Sequence, residues 1–548
     1  MKTFKFSEIQ PYLLVAILTA VLSSPLLINK SLHFRSDAVF HAGIAAAIPR
    51  SGIPPLNPFL AGTKLHYYWL YHALIAVLRD ITSFDPPTIM VLLNFLSLFI
   101  LLSAVYRIII LLSPGKVRNH CGLLGVILAG FGLNGWGWFL LVPRLLKNDL
   151  SLPSLLTRGV WSFLPRIVLS KWEGTMGFMA TKFLVATPFS VSLSALAIAL
   201  YALLRFFKRP TIKLGVSFSI FTILAGYLNL VVGSVFIIIC LAFFLGWFLF
   251  TLLRPGGRQK TALAGLSSTL LILFLLTLYG MSLSDSSSNL RRSVYFHLPN
   301  LHQLICLAFI LLPLWVLVFI TFNRVPSSPI PAGTIFIAVS ILMLGAGFLF
   351  LHFSHQQFKL PYLLALFLSV LIGSNLSRCG RKRALVAWLI TLSTIPTSLL
   401  GVVAYGCSPP EQPISVDQAA IYSWMAKNLP QNAVIISERK MDLLPYLARR
   451  DAYLGCRHYL KSSPENRRII RKRQKVLREL WRGDRMIEHI KEIQAELGQP
   501  VVLLSFSRRL ENEPKLGRLY SLGEISLWEL TEKTDRKRQP PGGAPGGR

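Results

Sequence analysis

The sequence predicts a polytopic α-helical membrane protein, with about eleven transmembrane helices and a small exterior C-terminal α/β domain. Three observations predict it. Apolar blocks of roughly 18 to 25 residues, nearly free of charge, recur between Pro11 and Gly406. That is the length needed to cross about 30 Å of hydrocarbon. Basic residues gather in the short connections between alternate blocks, as cytoplasmic loops do. After Ser408 the pattern changes to short helices alternating with short apolar strands, which indicates a small α/β domain.

Composition narrows the class. Of the 548 residues 53% are hydrophobic and 15% charged, with a mean hydropathy of +0.54. Buried helices of a soluble protein rarely repeat at such length, which sets a soluble all-α chain aside. The 57 Lys and Arg against 24 Asp and Glu give a net charge of +33, an excess that first suggests nucleic acid. Its concentration in short loops and in the C-terminal region points instead to the lipid bilayer and its anionic headgroups, with no nucleic-acid partner. Cys121, Cys240, Cys306 and Cys379 lie in or beside spans or in a basic loop, and only Cys407 and Cys456 share a compartment with room to pair. Inert packing residues are the simpler account of all six cysteines.

Taken in order, Lys2 and Lys5 precede the first apolar run, Pro11 to Ile28, and set its start in the cytoplasm as an uncleaved helix. Further spans are expected near 88–112, 120–142, 184–205, 214–231, 233–253, 261–281, 303–323, 333–353, 361–376 and 384–406. In the block 214–253 only Asn229 to Gly233 offers a place to turn. The cytoplasmic loops then hold Lys116 and Arg118; Lys208, Arg209 and Lys213; Arg254, Arg258 and Lys260; Arg324; and Arg378, Arg381, Lys382 and Arg383. A first exterior loop of 32–87, the loops of about 143–183 and 282–302, and the C-terminal region fall outside. The expected organisation is a multi-span domain 1–407, an exterior α/β domain 408–530 and a disordered Pro- and Gly-rich tail 531–548, in the cell (inner) membrane. Within the α/β domain, helices are expected at Ser415–Leu429, Asp442–Ala448 and Pro464–Leu497. Strands are expected at Ala433–Ser437, Asp451–Gly455, Pro500–Phe506 and Ile525–Leu530.

Residues 33–78 are the stretch richest in chemistry. Asp37 follows the first span, and Ala38 to Ile48 reads as a helix lying along the membrane surface. His41 lies four residues on, on the same helical face. An acid and an imidazole so placed can take a proton from a sugar hydroxyl and orient a phosphate. A helix cap and a surface histidine account for the same spacing. The Pro-rich turn containing Asn57 reverses the chain, and Tyr67, Tyr68, Trp69 and Tyr71 then form an aromatic patch. Sugars stack on such faces, and aromatic belts also simply anchor membrane proteins. His33, His41, His66 and His72 match no metal-ligand spacing, so a zinc site is not expected.

The order first span, exterior Asp, surface helix, then Leu65-His66-Tyr67-Tyr68-Trp69-Leu70-Tyr71-His72 before the second span resembles the GT-C glycosyltransferases. The resemblance is to their protein O-mannosyltransferase and aminoarabinose-transferase branch, with bacterial and archaeal relatives carrying a Tyr-Tyr-Tyr-like motif. Gln357-Phe358-Lys359-Leu360-Pro361-Tyr362-Leu363-Leu364 is similar to the family's late span preceded by a basic residue. The run Tyr422 to Pro430 with Ala433-Val434-Ile435, Arg449-Arg450 and Tyr453-Leu454-Gly455 resembles the C-terminal domains of many members. The resemblance implies transfer of a sugar from a polyprenyl-phosphate carrier to a lipid, glycan or protein on the outer face. It casts Asp37 as the base that accepts the acceptor's proton. Lys359, with Arg291 and Arg292 behind it, would neutralise the leaving phosphate. His41, Asn57, His66, Tyr67, Tyr68, Glu173 and Lys182 are the expected substrate contacts. Where many members carry paired acids in the first loop, Asp37 stands alone after Ser36, so no cofactor is expected and a divalent metal is unsupported.

Two other classes compete. A transporter or flippase of lipid-linked sugars would place charges mid-membrane at broken helices, and these spans are nearly free of charge. A non-catalytic scaffold could keep the same fold. No GxxxxGK(S/T) loop and no GxGxxG turn after a strand is present, which argues against a nucleotide-driven pump. The basic run Arg467, Arg468, Arg471, Lys472, Arg473, Lys475 and Arg478 suits anionic headgroups or an acidic glycan, and equally a solvated helix face.

Overall fold

A computed structural model of the chain describes residues 6–34, 37–113, 117–133, 135–140, 181–185, 187–253, 259–283, 294–296, 298–299, 301–322, 331–353, 359–407, 414–439, 442–455, 464–483, 485–507 and 510–531. The chain divides into two compact units. One comprises Met1–Ala45 with His66–Pro413, and the other Ala46–Leu65 with Ile414–Arg548.

The first unit is a polytopic helical membrane domain. Among the described residues eight helices are long and apolar enough to cross a bilayer: Ile9–Ile28, Pro86–Leu112, Pro188–Lys208, Leu230–Leu253, Gln259–Leu283, Ala332–Phe350, Lys359–Leu376 and Arg381–Gly406. Two shorter apolar helices, Ile212–Leu228 and Leu312–Phe322, join them. The span expected at 120–142 begins as the helix Arg118–Phe131, and residues 141–142 lie outside the described residues. Exposed Leu270, Leu271, Phe274 and Leu342 turn outward, as a lipid-facing surface requires. The hydroxyls of Thr222, Thr269, Ser340 and Ser369 donate to the carbonyl four residues back, so these polar side chains cost little in hydrocarbon.

The helix Lys359–Leu376 is buried along its whole length. It packs against Ala332–Phe350, Arg118–Phe131, Leu312–Phe322 and Pro86–Leu112. Small residues permit this closeness, since a Cβ on Gly373 would stand 2.7 Å from Ile109 Cδ1. The block 214–253 does turn at Asn229, between Ile212–Leu228 and Leu230–Leu253. There Gly226 and Gly233 meet backbone to backbone.

The second unit is a three-layer α/β sheet. Strand order is Asp451–Ala452, Val434–Ser437, Val501–Ser505, Ile525–Leu530, Leu516–Leu522; the first three run parallel and the rest antiparallel. Side chains alternate between faces, the period expected of strands. Ile435, Val502 and Leu504 join Ile421, Tyr422 and Met425 of the helix Val416–Asn428. Val434, Ile436, Val501 and Leu503 join Leu480, Ile490 and Ile493 of Pro464–Arg482 and Met486–Leu497. Ser415 and Gln418 form a reciprocal capping box at the first of these helices. The expected single helix Pro464–Leu497 is therefore two, broken where Gly483 and Arg485 take positive φ.

Residues 46–65 complete the sheet's free edge. Ala61 N donates to Ala452 O at 3.0 Å, Ala452 N to Pro58 O at 2.8 Å, and Gly455 N to Phe59 O at 2.8 Å. Arg50 pairs with Asp451 at 2.7 Å. Covering an edge strand in this way removes unpaired backbone groups from water and from other chains.

Candidate active site

The site is built in the membrane unit from chain segments that begin or interrupt helices. Asp37 is the first residue of Asp37–Ser51 and is half-buried. The helix was expected to lie along the membrane surface, but Ala38 to Ile48 are all buried. Its run of Ala residues presents so little bulk that other segments can approach on every side. The correction bears on His41, which is 1% exposed and faces inward.

His41 Nδ1 lies 2.9 Å from His72 Nε2, so one ring donates and the other accepts. Burial pushes both imidazoles well below their ordinary range, His72 to about 3, and for His41 the neighbouring His72 and Lys359 add to the effect. Both rings are therefore neutral at physiological pH. Tyr71 is fully buried against His41 and His72. Tyr67 packs on Tyr68 with centroids 3.9 Å apart and the rings tilted by 36°, and meets Phe40 edge to face at 5.3 Å. The aromatic run is thus a wall around an imidazole pair, more interior than the interfacial patch its composition suggested. Burial and Asp37 raise the Tyr68 hydroxyl to about 12, so it remains a neutral donor.

Two lysines face this wall. Lys359 opens the helix Lys359–Leu376 and is 4% exposed. Its ammonium donates to Asn229 Oδ1 at 3.2 Å and lies 6.0 Å from the Tyr68 ring and 5.6 Å from Phe189. Asn229 also approaches Tyr68 Oη, at 3.4 Å. Lys182, in the short helix Thr181–Leu184, sits 5.4 Å over the Tyr362 ring. Burial lowers it to about 8, partly offset by the Asp37 carboxylate. Asp37 acts electrostatically on Lys182, Lys359, Tyr67 and Tyr68. These three charged groups sum to one positive charge, set among aromatic rings.

Of the sequence-derived candidates, Asp37, His41, Tyr67, Tyr68, Lys182 and Lys359 come together. His66 is half-buried beside them, its Nδ1–H donating to Leu283 O at 3.2 Å. Asn57 belongs to the other unit, where its side chain accepts from Phe59 N and its backbone bonds Thr63. Glu173, Arg291 and Arg292 lie outside the described residues, as do Cys456 and the tail from 532. Among the described residues no three His, Cys, Asp or Glu side chains gather as metal ligands would.

With this geometry the chain is similar to ArnT from Cupriavidus metallidurans bound to undecaprenyl phosphate. The TM-score is 0.54 at 10% identity, over 96% of this chain and 98% of that one. ArnT in the apo state matches at a TM-score of 0.52 and 11% identity, over 94% and 97%. The chain therefore shares the fold of these ArnT structures, as the resemblance to GT-C glycosyltransferases led one to expect. No protein-family model matches the sequence, and no curated protein matches it.

Two residues at the site escaped a reading based on charge and aromatics. Asn229 was read as a turn, yet it bridges Lys359 and Tyr68. Asn94, within Pro86–Leu112, donates to Phe183 O and Val185 O and accepts from Ser190 Oγ, which fixes the strand of chain carrying Lys182. A signal was present in both cases. An amide in an apolar run is costly unless it is hydrogen-bonded, so its presence marks a structural or chemical partner.

Proposed function

We propose that this chain is an integral-membrane glycosyltransferase that moves a sugar from a polyprenyl-phosphate-linked donor to a lipid, glycan or protein acceptor. The observation that carries the proposal is the convergence of one carboxylate, a buried lysine, a half-buried lysine and an aromatic wall within a GT-C fold. The similar ArnT structure holds undecaprenyl phosphate, which supports a lipid phosphate as donor carrier here.

On this reading Asp37 accepts the proton of the acceptor hydroxyl as its oxygen attacks the anomeric carbon. The bond from that carbon to the phosphate oxygen breaks, and the electron pair leaves on the polyprenyl phosphate. Lys359 and Lys182 neutralise the charge that develops there, in surroundings where each contact counts for more than in water. Asn229 holds the Lys359 ammonium, and Tyr67 and Tyr68 offer the sugar a stacking surface and a hydroxyl. His41, paired with His72, backs that surface as a neutral group. Positive-inside loops favour a cytoplasmic N-terminus, which puts this chemistry and the C-terminal domain on the outer face of the cell membrane.

The test is transfer by the purified full-length protein in lipid, given polyprenyl-phosphate sugars and candidate acceptors, beside Asp37→Asn. Loss of the base is expected to lower kcat by about 10²- to 10⁴-fold. Full activity in Asp37→Asn would remove the catalytic assignment, and absence of transfer to every acceptor would favour a transporter or scaffold.

A further inference from the structure

The helix Lys359–Leu376 has a second functional end. Its 18 residues, at about 1.5 Å each, separate Lys359 from Leu376 by ~27 Å, close to the thickness of the hydrocarbon. At the far end, at the membrane face opposite Lys359, a cavity of 370 Å³ opens between this helix, Leu312–Phe322, Ala332–Phe350 and Arg381–Ser393.

Arg378, Arg381, Lys382 and Arg383 line the cavity, and no acid does. Three of the four occupy the first turn of Arg381–Ser393, whose N-cap Gly380 supplies no side-chain cap. Cations there face the positive end of the helix dipole, an arrangement that is unfavourable until an anion arrives. A second observation is independent of charge. Asn375 lines the cavity, is 6% exposed, and among the described residues its carboxamide makes no hydrogen bond. The Thr334 hydroxyl beside it, on a residue 7% exposed, is likewise unbonded among the described residues. Both residues line the open cavity, so a ligand with acceptor atoms that entered it could take up their unused hydrogen bonds. Phe322, which lines the cavity, and Phe319, Leu385 and Leu389, on two of the helices that line it, are exposed, and alkyl chains can lie along them.

We propose that this cavity holds the phosphodiester headgroup of an anionic phospholipid, with its acyl chains on that apolar flank. Arginine forks match the phosphate oxygens two at a time, and Asn375 adds a hydrogen bond from a neutral donor. A membrane protein's basic loops need only charge to set topology. The role of Asn375 is what separates a built site from a topology signal. The site does not depend on the transferase reading.

The test is native mass spectrometry of the full-length protein released from detergent, offered phosphatidylglycerol or phosphatidylcholine, with inorganic phosphate as competitor. One phosphatidylglycerol is expected to be retained at least tenfold better than phosphatidylcholine. Asn375→Leu is expected to weaken that retention about tenfold, the loss of one charge-assisted hydrogen bond. The exposed pair Arg381→Gln/Arg383→Gln should abolish the preference, and carries the test if Asn375→Leu does not fold. Equal retention of both lipids, or a preference untouched by these variants, overturns the proposal. Displacement by millimolar inorganic phosphate would overturn it too, by assigning the site to the free ion.

Discussion

Gly233→Ala tests the link between helix packing and the lysine that faces the site. A methyl at this position would stand 2.2 Å from Gly226 Cα and 2.7 Å from Gly226 N. Both are backbone atoms, so no side-chain rotation relieves the overlap. Restoring contact at 3.4 Å requires the helices Ile212–Leu228 and Leu230–Leu253 to part by 1.2 Å, the difference between those distances. Overpacking of this kind costs about 1–3 kcal/mol. The displacement falls one turn from Asn229, whose Oδ1 accepts from Lys359 at 3.2 Å, and a shift of that size breaks the bond. Gly246→Ala, in the same helix, is the control, because a Cβ there meets nothing within 4 Å. Thermal melts in detergent are expected to show Gly233→Ala several degrees less stable and Gly246→Ala unchanged or slightly stabilised. The binding of undecaprenyl phosphate should weaken in the first alone. If both variants melt and bind alike, the close approach at Gly226 and Gly233 does not position Lys359, and the reasoning fails.

Two further outcomes follow from the lysines. Lys182, lowered to about 8, loses its charge as pH rises through that value, so affinity for a lipid phosphate should fall above pH 8 in the wild type. It should persist to higher pH in Lys182→Arg, read by titrating undecaprenyl phosphate at each pH. The same depression means that the folded state binds fewer protons than the unfolded one between about pH 8 and 10.5, so this residue's contribution to stability rises across that window. Lys359→Met should lower lipid-phosphate affinity about tenfold or more. A Lys359→Met that still binds normally would contradict the role given to this ammonium.

The membrane architecture was legible because hydrocarbon imposes a length and a purity that few other constraints match. Eight of the expected spans coincide with helices long and apolar enough to cross, and the turn at Asn229 stands out because an amide interrupts an apolar block. Ser415 with Gln418, and the alternation Val434-Ile435-Ile436, were equally readable, since caps and strand periods are local. Other features depend on partners distant in sequence. Leu516–Leu522 escaped because an edge strand with one exposed face and a Gly-Arg pair lacks a continuous apolar signal. The burial of Ala38 to Ile48 escaped because Ala and Gly fit a surface helix and a crowded interior equally well. The attachment of residues 46–65 to the sheet edge rests on backbone hydrogen bonds, which carry no residue code.

The same constraint that made the spans readable also dictates where a site can be built. In hydrocarbon every backbone group must be bonded within its own helix, and a charge in mid-span is costly. Polar chemistry therefore gathers at helix starts and breaks, and the charged residues here follow that pattern; His41 and Asn94 lie inside helices and are hydrogen-bonded there. Asp37 and Lys359 each open a helix, Asn229 interrupts one, and Tyr67 and Tyr68 precede Leu70–Thr82. The two charged residues differ in what this position means for them. A carboxylate at a helix N-terminus is favoured by the dipole, whereas an ammonium there is opposed by it and, when buried, by desolvation as well. Asn229 Oδ1 and the field of Asp37 offset part of that opposition. On the proposed function, a phosphate arriving at Lys359 would add its own charge to the partners the ammonium already has. The membrane face beyond Leu376 repeats the device, with arginines at the start of Arg381–Ser393 held against the dipole. If both proposals hold, the two ends of one buried helix each set cations near a helix N-terminus where an anion would bind.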